Sequence, residues 1–193
     1  MKFLLSVAIA AILMTTQANA QHVNIGVKGG LNLYNIHNSN GTEYDTKAGV
    51  NLGLLGHIHL AKHVAFQPEL VYSAQGAKYT IGGTETKINL NYINVPLLVQ
   101  YMFDNGFRLE AGPQIGFLAS ANSKTGSVKT DIKDNLKTVD VGLGFGISYV
   151  HPPTGFGVDL RYNLGLTDIN ENSSVKSTNR GVQLGVFYLF NHK

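Results

Sequence analysis

Three histidines come nearest to a ligand set. His57 and His59 stand two residues apart, a spacing that turns both imidazoles to one side of a strand, and His63 follows in the next turn. Two imidazoles so placed begin a zinc site, but a third ligand is missing. His151 belongs to another short connection, and the nearby carboxylates are needed as ion-pair partners. Lumen-filling polar residues are therefore expected there, with no metal. Gly142-Leu143-Gly144-Phe145-Gly146 resembles a dinucleotide loop only in composition, because no helix follows to cradle a phosphate. No Gly-x-Ser-x-Gly elbow is present, and the greasy face shows no Ser and His pair of the kind lipid hydrolases use. Neither a catalytic set nor a cofactor is expected. The remaining chemistry is charge. Lys28, Glu69, Arg108, Glu110, Asp140, Asp159 and Arg161 share one strand face, and three cations against four anions read either as a gate or proton path or as a salt-bridged plug. The plug is expected, since a narrow barrel leaves little room once side chains fill it.

The elements that carry these groups are strands. Phe107-Arg108-Leu109-Glu110-Ala111-Gly112-Pro113-Gln114-Ile115-Gly116-Phe117-Leu118 opens in strict alternation, one face greasy and the other polar and glycine-rich. The same pattern recurs at about 23–33, 50–60, 64–76, 90–103, 139–149, 155–166 and 180–190. Short links at 61–63, 104–106 and 151–154 alternate with long ones, at about 34–49, 77–89, 119–138 and 167–179. That asymmetry predicts an all-β fold: an eight-stranded antiparallel up-and-down transmembrane β-barrel with its tight turns at one end.

Two features turn the greasy face outward. Glycine, 22 of 193 residues, is concentrated on the polar face, where it makes room for long charged side chains. The rings of Phe66, Tyr101, Phe103, Phe107, Tyr149, Phe156, Tyr188 and Phe190 lie on the greasy face at the short-turn end. Such clustering matches an aromatic girdle at a membrane interface, and Tyr72, Phe117 and Tyr162 begin a sparser upper ring. A soluble secreted ligand-binding β-barrel with an ordinary core is the alternative. Pro68, Pro96 and Pro113 each remove a ladder donor, so bulges or weakened pairing are expected at those positions.

The N-terminus reads as an export signal. Lys2 precedes the apolar run Phe3–Met14, and Ala18-Asn19-Ala20 supplies small residues for cleavage between Ala20 and Gln21. The expected domains are a signal peptide at 1–20 and one barrel at 21–193. Charged residues make up 14% of the chain and the net charge is +3, which gives no reason to propose nucleic acid. Without cysteine there is no disulfide framework. Lys124, Lys129, Lys133 and Lys137, set against Asp131 and Asp134 in the third long connection, read as a solvated loop or as a contact for lipopolysaccharide phosphates.

The segments GVKGGLNL (26–33), FQPELVYSAQGAKY (66–79), YINVPLLVQYMF (92–103), GFRLEAGPQIGFL (106–118) and LRYNLGLTDI (160–169) resemble the outer-membrane protein β-barrel domain family, often called PorT-like. The resemblance implies a monomeric barrel in outer-membrane lipid, tolerant of the three prolines, with no catalytic residues. One branch of that family is associated with protein secretion. Asn191-His192-Lys193 depart from the aromatic ending common in barrel assembly signals. The expected role is a non-enzymatic barrel displaying four extracellular loops for structural, adhesive or docking purposes, with a narrow small-solute channel as the alternative.

Overall fold

The computed structural model describes residues 23–41, 44–171 and 175–190. The cleavage site at Ala20 and Gln21 and the Asn191-His192-Lys193 ending lie outside them. The strands are β1 (Val23–Asn38), β2 (Asp45–Ala61), β3 (Val64–Ile81), β4 (Thr84–Met102), β5 (Phe107–Thr125), β6 (Val128–Asp131), β7 (Val139–Val150), β8 (Phe156–Gly165) and β9 (Ser177–Leu189). Eight of them close a ring in the order β4-β3-β2-β1-β9-β8-β7-β5, sealed by a β4–β5 pairing, and β6 is an appendage of β5. Every pairing is antiparallel. Closure removes all edge strands from the wall, as lipid demands of a sheet whose backbone it cannot hydrate.

The greasy face is outside. Leu31, Leu184 and Leu160 align across β1, β9 and β8, and they are 60%, 54% and 44% exposed. Lys28, Glu69, Arg108, Glu110, Asp159 and Arg161 are all buried. This is the reverse of a water-soluble sheet.

Three of the four long connections are largely strand. The segment expected as a loop at 34–49 is mostly the end of β1 and the start of β2, paired out to Tyr34↔Lys47. The segment expected as a loop at 77–89 is a β3–β4 ribbon that pairs out to Ile81↔Thr84. It turns through Gly82 and Gly83, whose φ values of +58° and +79° are left-handed. Positive φ at both central residues fits a type I′ turn, for which two glycines carry no steric penalty. The segment expected as a loop at 119–138 is in part a second ribbon, in which β5 and β6 pair from Asn122↔Asp131 to Thr125↔Val128. A 3₁₀ turn follows at Lys133–Asn135.

The prolines do not make bulges. Register shifts occur between Thr46 and Asn51, between His59 and Ala61, and at Asn91/Tyr92. Around the prolines the register holds and pairing lapses instead. The β2–β3 ladder skips from Leu55↔Glu69 to Ile58↔Phe66, β3–β4 from Pro68↔Leu97 to Val71↔Asn94, and β4–β5 from Pro96↔Gln114 to Val99↔Ala111. Each proline thus opens its ladder on one side without shifting the strands.

Inward glycines admit their neighbours' long side chains. A Cβ on Gly185 would strike the Asp159 carboxylate, one on Gly157 the Phe187 ring, and one on Gly181 the Tyr34 ring. A Cβ on Gly146 would come within 2.9 Å of Glu110 Oε1.

Candidate functional site

The lumen is layered, and its layers decide what it can do. At the short-turn end Leu55, Val150, Phe187 and Leu189 form an apolar floor. Next comes the ionic layer. Arg161 on β8 donates from Nη1 to Glu69 Oε2 at 2.9 Å and from Nη2 to Glu69 Oε1 at 2.9 Å and Glu110 Oε1 at 2.7 Å, while its Nε reaches Glu110 Oε1 at 2.9 Å. Lys28 Nζ completes the layer, 3.2 Å from Glu69 Oε2 and 3.2 Å from Asp159 Oδ1. Gln67 and Gln100 donate to Glu69 and Glu110 at 2.8 Å each, satisfying further lone pairs. Arg108 lies beside His57, with Nη1 3.5 Å from Nδ1.

Asp140 departs from the expected network. It lies toward the ribbon end, where it accepts from Thr167 Oγ1 at 2.7 Å and Asn179 Nδ2 at 2.9 Å. Residue parity sets the face of a side chain but says nothing of its depth, which strand tilt sets. Above the ions runs an amide layer. Asn51 donates to Asn32 at 2.9 Å, Asn32 to Ser73 at 2.9 Å, and Gln75 to Ser73 at 3.0 Å. A cavity lined by Tyr34, Gln75, Asn94, Asp140, Asn163 and Asn179, among others, holds about 10 Å³, room for about one water.

A roof closes the ribbon end. Ile36, Ala77, Leu90, Tyr92, Leu118, Ala121 and Ile169 pack together, with Ile132 and Leu136 against them. The last connection is stitched over this roof by backbone bonds, Lys137 N to Ile169 O at 2.8 Å and Glu171 N to Asn135 O at 3.0 Å. Asp168 organises it, since Oδ1 accepts from Ser177 N at 2.9 Å and Asn170 N at 3.1 Å. Those bonds, the Ser177 N–H foremost, hold the Asp168 carboxyl below its ordinary value. A group whose folded pKa is depressed contributes stability above its unfolded value and loses it as pH falls through the folded one. Protection of the Ser177 and Asn170 amides, taken relative to their intrinsic exchange rates at each pH, is therefore expected to hold from neutral pH to below the ordinary aspartate range and then to fall. In the Asp168→Asn variant it should be lower at neutral pH already.

The sequence-derived rings lie on the outer wall in contacting pairs. Ring centroids are 5.0 Å apart for Tyr101–Phe103, 6.0 Å for Phe107–Tyr149, 4.8 Å for Phe156–Tyr188 and 5.2 Å for Tyr188–Phe190. Phe66 faces outward on β3, opposite Val99 of β4. His57 and His59 meet edge to face at 4.7 Å, whereas His63 stacks on Tyr101 at 6.1 Å, so the three do not converge. Among the described residues no group of three or more His, Asp or Glu gathers as a metal site. The third-connection lysines disperse as well. Lys133 Nζ bonds Ala119 O at 3.0 Å, Lys137 lies 4.0 Å from Asp168, and Lys124 faces Lys129 across the β5–β6 ribbon.

A closed antiparallel ring, apolar without and ionic within, is the architecture of a bacterial outer-membrane barrel, and the outer membrane protein beta-barrel domain family matches residues 17–171. The chain belongs to that family. As an outer-membrane barrel it has solved structural counterparts. Neisserial surface protein A is 15% identical with a TM-score of 0.58, over 86% of this chain and 98% of that one. Ail, the attachment invasion locus protein of Yersinia pestis, is 14% identical with a TM-score of 0.50, over 86% of this chain and 98% of that one. At these identities the likeness is one of fold. No curated protein matches the sequence.

Proposed function

We propose that the protein is a closed, non-enzymatic outer-membrane barrel whose task is display. It presents the β3–β4 and β5–β6 ribbons and the stitched roof to the outside as an adhesive or docking surface. The observation that supports this most is the sealing of the lumen at both ends, by the Leu55–Leu189 floor and the Ile36–Ile169 roof, with a bonded ionic layer between. A solute path would need a polar opening at each mouth. Docking of envelope or secretion partners, the role linked to one branch of the PorT-like family, stands beside adhesion and envelope integrity in this reading, and the barrel acts in it as a monomer.

Reconstituted in planar bilayers, the purified barrel is expected to give no steady conductance. An epitope inserted between Gly82 and Gly83 should be labelled on intact cells, because that turn is the tip of a ribbon. Large, steady ion currents would refute closure. An epitope seen only after permeabilisation would refute display.

A further inference from the structure

Inside the barrel Lys28 and Arg161 are paired with carboxylates, but one cation on its outside has an unmet donor. Arg180 of β9 points outward, and its buried Nε makes no hydrogen bond among the described residues. It borders a groove of about 430 Å³ on the outer wall. Leu33, Tyr162 and Val182 line the lower part of that groove and are 51%, 43% and 38% exposed. Asn35, which pairs with Arg180, joins His37 and Thr46 to supply donors above them.

The height of the groove identifies its medium. Below Arg180 the outward side chains of β9 run Val182, Leu184, Val186 and Tyr188, all apolar until the phenolic ring at the short-turn girdle. Eight residues from Tyr188 to Arg180 span ~27 Å along the strand, or ~20 Å of membrane height at the tilt usual for such barrels. Arg180 therefore sits where the apolar belt ends at the ribbon side, at headgroup depth in the outer leaflet. A guanidinium there, over an apolar slot and beside neutral donors, matches a phosphate carried on acyl chains.

We propose that this groove seats the phosphate of an outer-leaflet glycolipid. Arg180 binds the phosphate, Asn35, His37 and Thr46 supply further donors, and an acyl chain lies along Leu33, Tyr162 and Val182. The site goes beyond the display reading and places the lipid on the wall of the barrel rather than on the ribbon lysines.

The test is native mass spectrometry of the detergent-purified barrel offered bis-phosphorylated lipid A, the same lipid dephosphorylated, or inorganic phosphate. The wild-type chain should hold the phosphorylated lipid roughly tenfold more tightly than the dephosphorylated one. Arg180→Gln should abolish that preference and Lys129→Gln should keep it, with the heat-dependent gel shift verifying that each variant is folded. Equal binding of the two lipids by the wild-type barrel overturns the proposal without recourse to any variant. So does a preference that survives Arg180→Gln, or one lost with Lys129→Gln, which would move the site to the ribbon. Displacement of the lipid by equimolar inorganic phosphate would also overturn it, by showing an ion site with no acyl component. A barrel that conducts ions yet prefers the phosphorylated lipid would refute closure and leave this site standing.

Discussion

Arg161→Ala is expected to destabilise the barrel by about 3–5 kcal/mol, the usual consequence of removing one partner from a buried ion pair. Arg161 is 1% exposed and bonds two carboxylates from two different strands. Lys28 already serves Glu69 and Asp159, so after the substitution Glu110 keeps only the amide of Gln100 among its close direct partners. Glu69 would retain Lys28 and Gln67. Glu110→Gln should cost less, because an amide at that position accepts from Arg161 without being an uncompensated charge. The chain has no Trp, so the measurement is urea-induced unfolding in lipid vesicles followed by the heat-dependent gel shift or by circular dichroism. If Arg161→Ala unfolds at the same urea concentration as the parent, the ionic layer does not hold the barrel together.

Leu184→Arg should cost about 2–4 kcal/mol in lipid vesicles, the range for a cation at the bilayer midplane on a barrel's outer face. Leu184 lies halfway between the Tyr188 ring and Arg180 and is 54% exposed, with Leu31 and Leu160 as its cross-strand neighbours. The same substitution at an exposed position of a water-soluble barrel would stay within about 0.5 kcal/mol of neutral. The sign and size of this one change therefore separate the two media. A midpoint shift too small to resolve would place Leu184 in water and overturn the outward-greasy orientation.

The barrel wall was legible because its alternation is strict between the two interfaces. Beyond the belt the outer parts of the ribbon meet water, so Lys78, Thr80 and Lys87 carry no hydrophobic period although the pairing continues. Only the Gly82-Gly83 pair marked a hairpin there. The apolar floor was hidden for the opposite reason. Val186-Phe187-Tyr188-Leu189-Phe190 is apolar at every position, so the inward Phe187 and Leu189 carry no polar mark of their own and only parity carried down β9 separates them from Tyr188 and Phe190. The roof had a faint signal, since Ile36 continues the inward parity of Lys28, Asn32 and Tyr34 along β1. The sequence puts the charged residues on one strand face by parity. Which carboxylate meets which cation, and the separation of Asp140, depend on strand stagger, which residue types do not encode locally.

The inward glycines carry a consequence for how this chain can vary through descent. Tyr34 occupies the space Gly181 vacates, Phe187 that of Gly157, and Asp159 that of Gly185, each pair bridging two strands. A bulkier residue at 181 is tolerable only if position 34 shrinks in the same lineage, and likewise for the other couples. Interior change is thus constrained to compensated double steps, while the outer wall and the ribbon tips, free of such reciprocity, can drift one residue at a time.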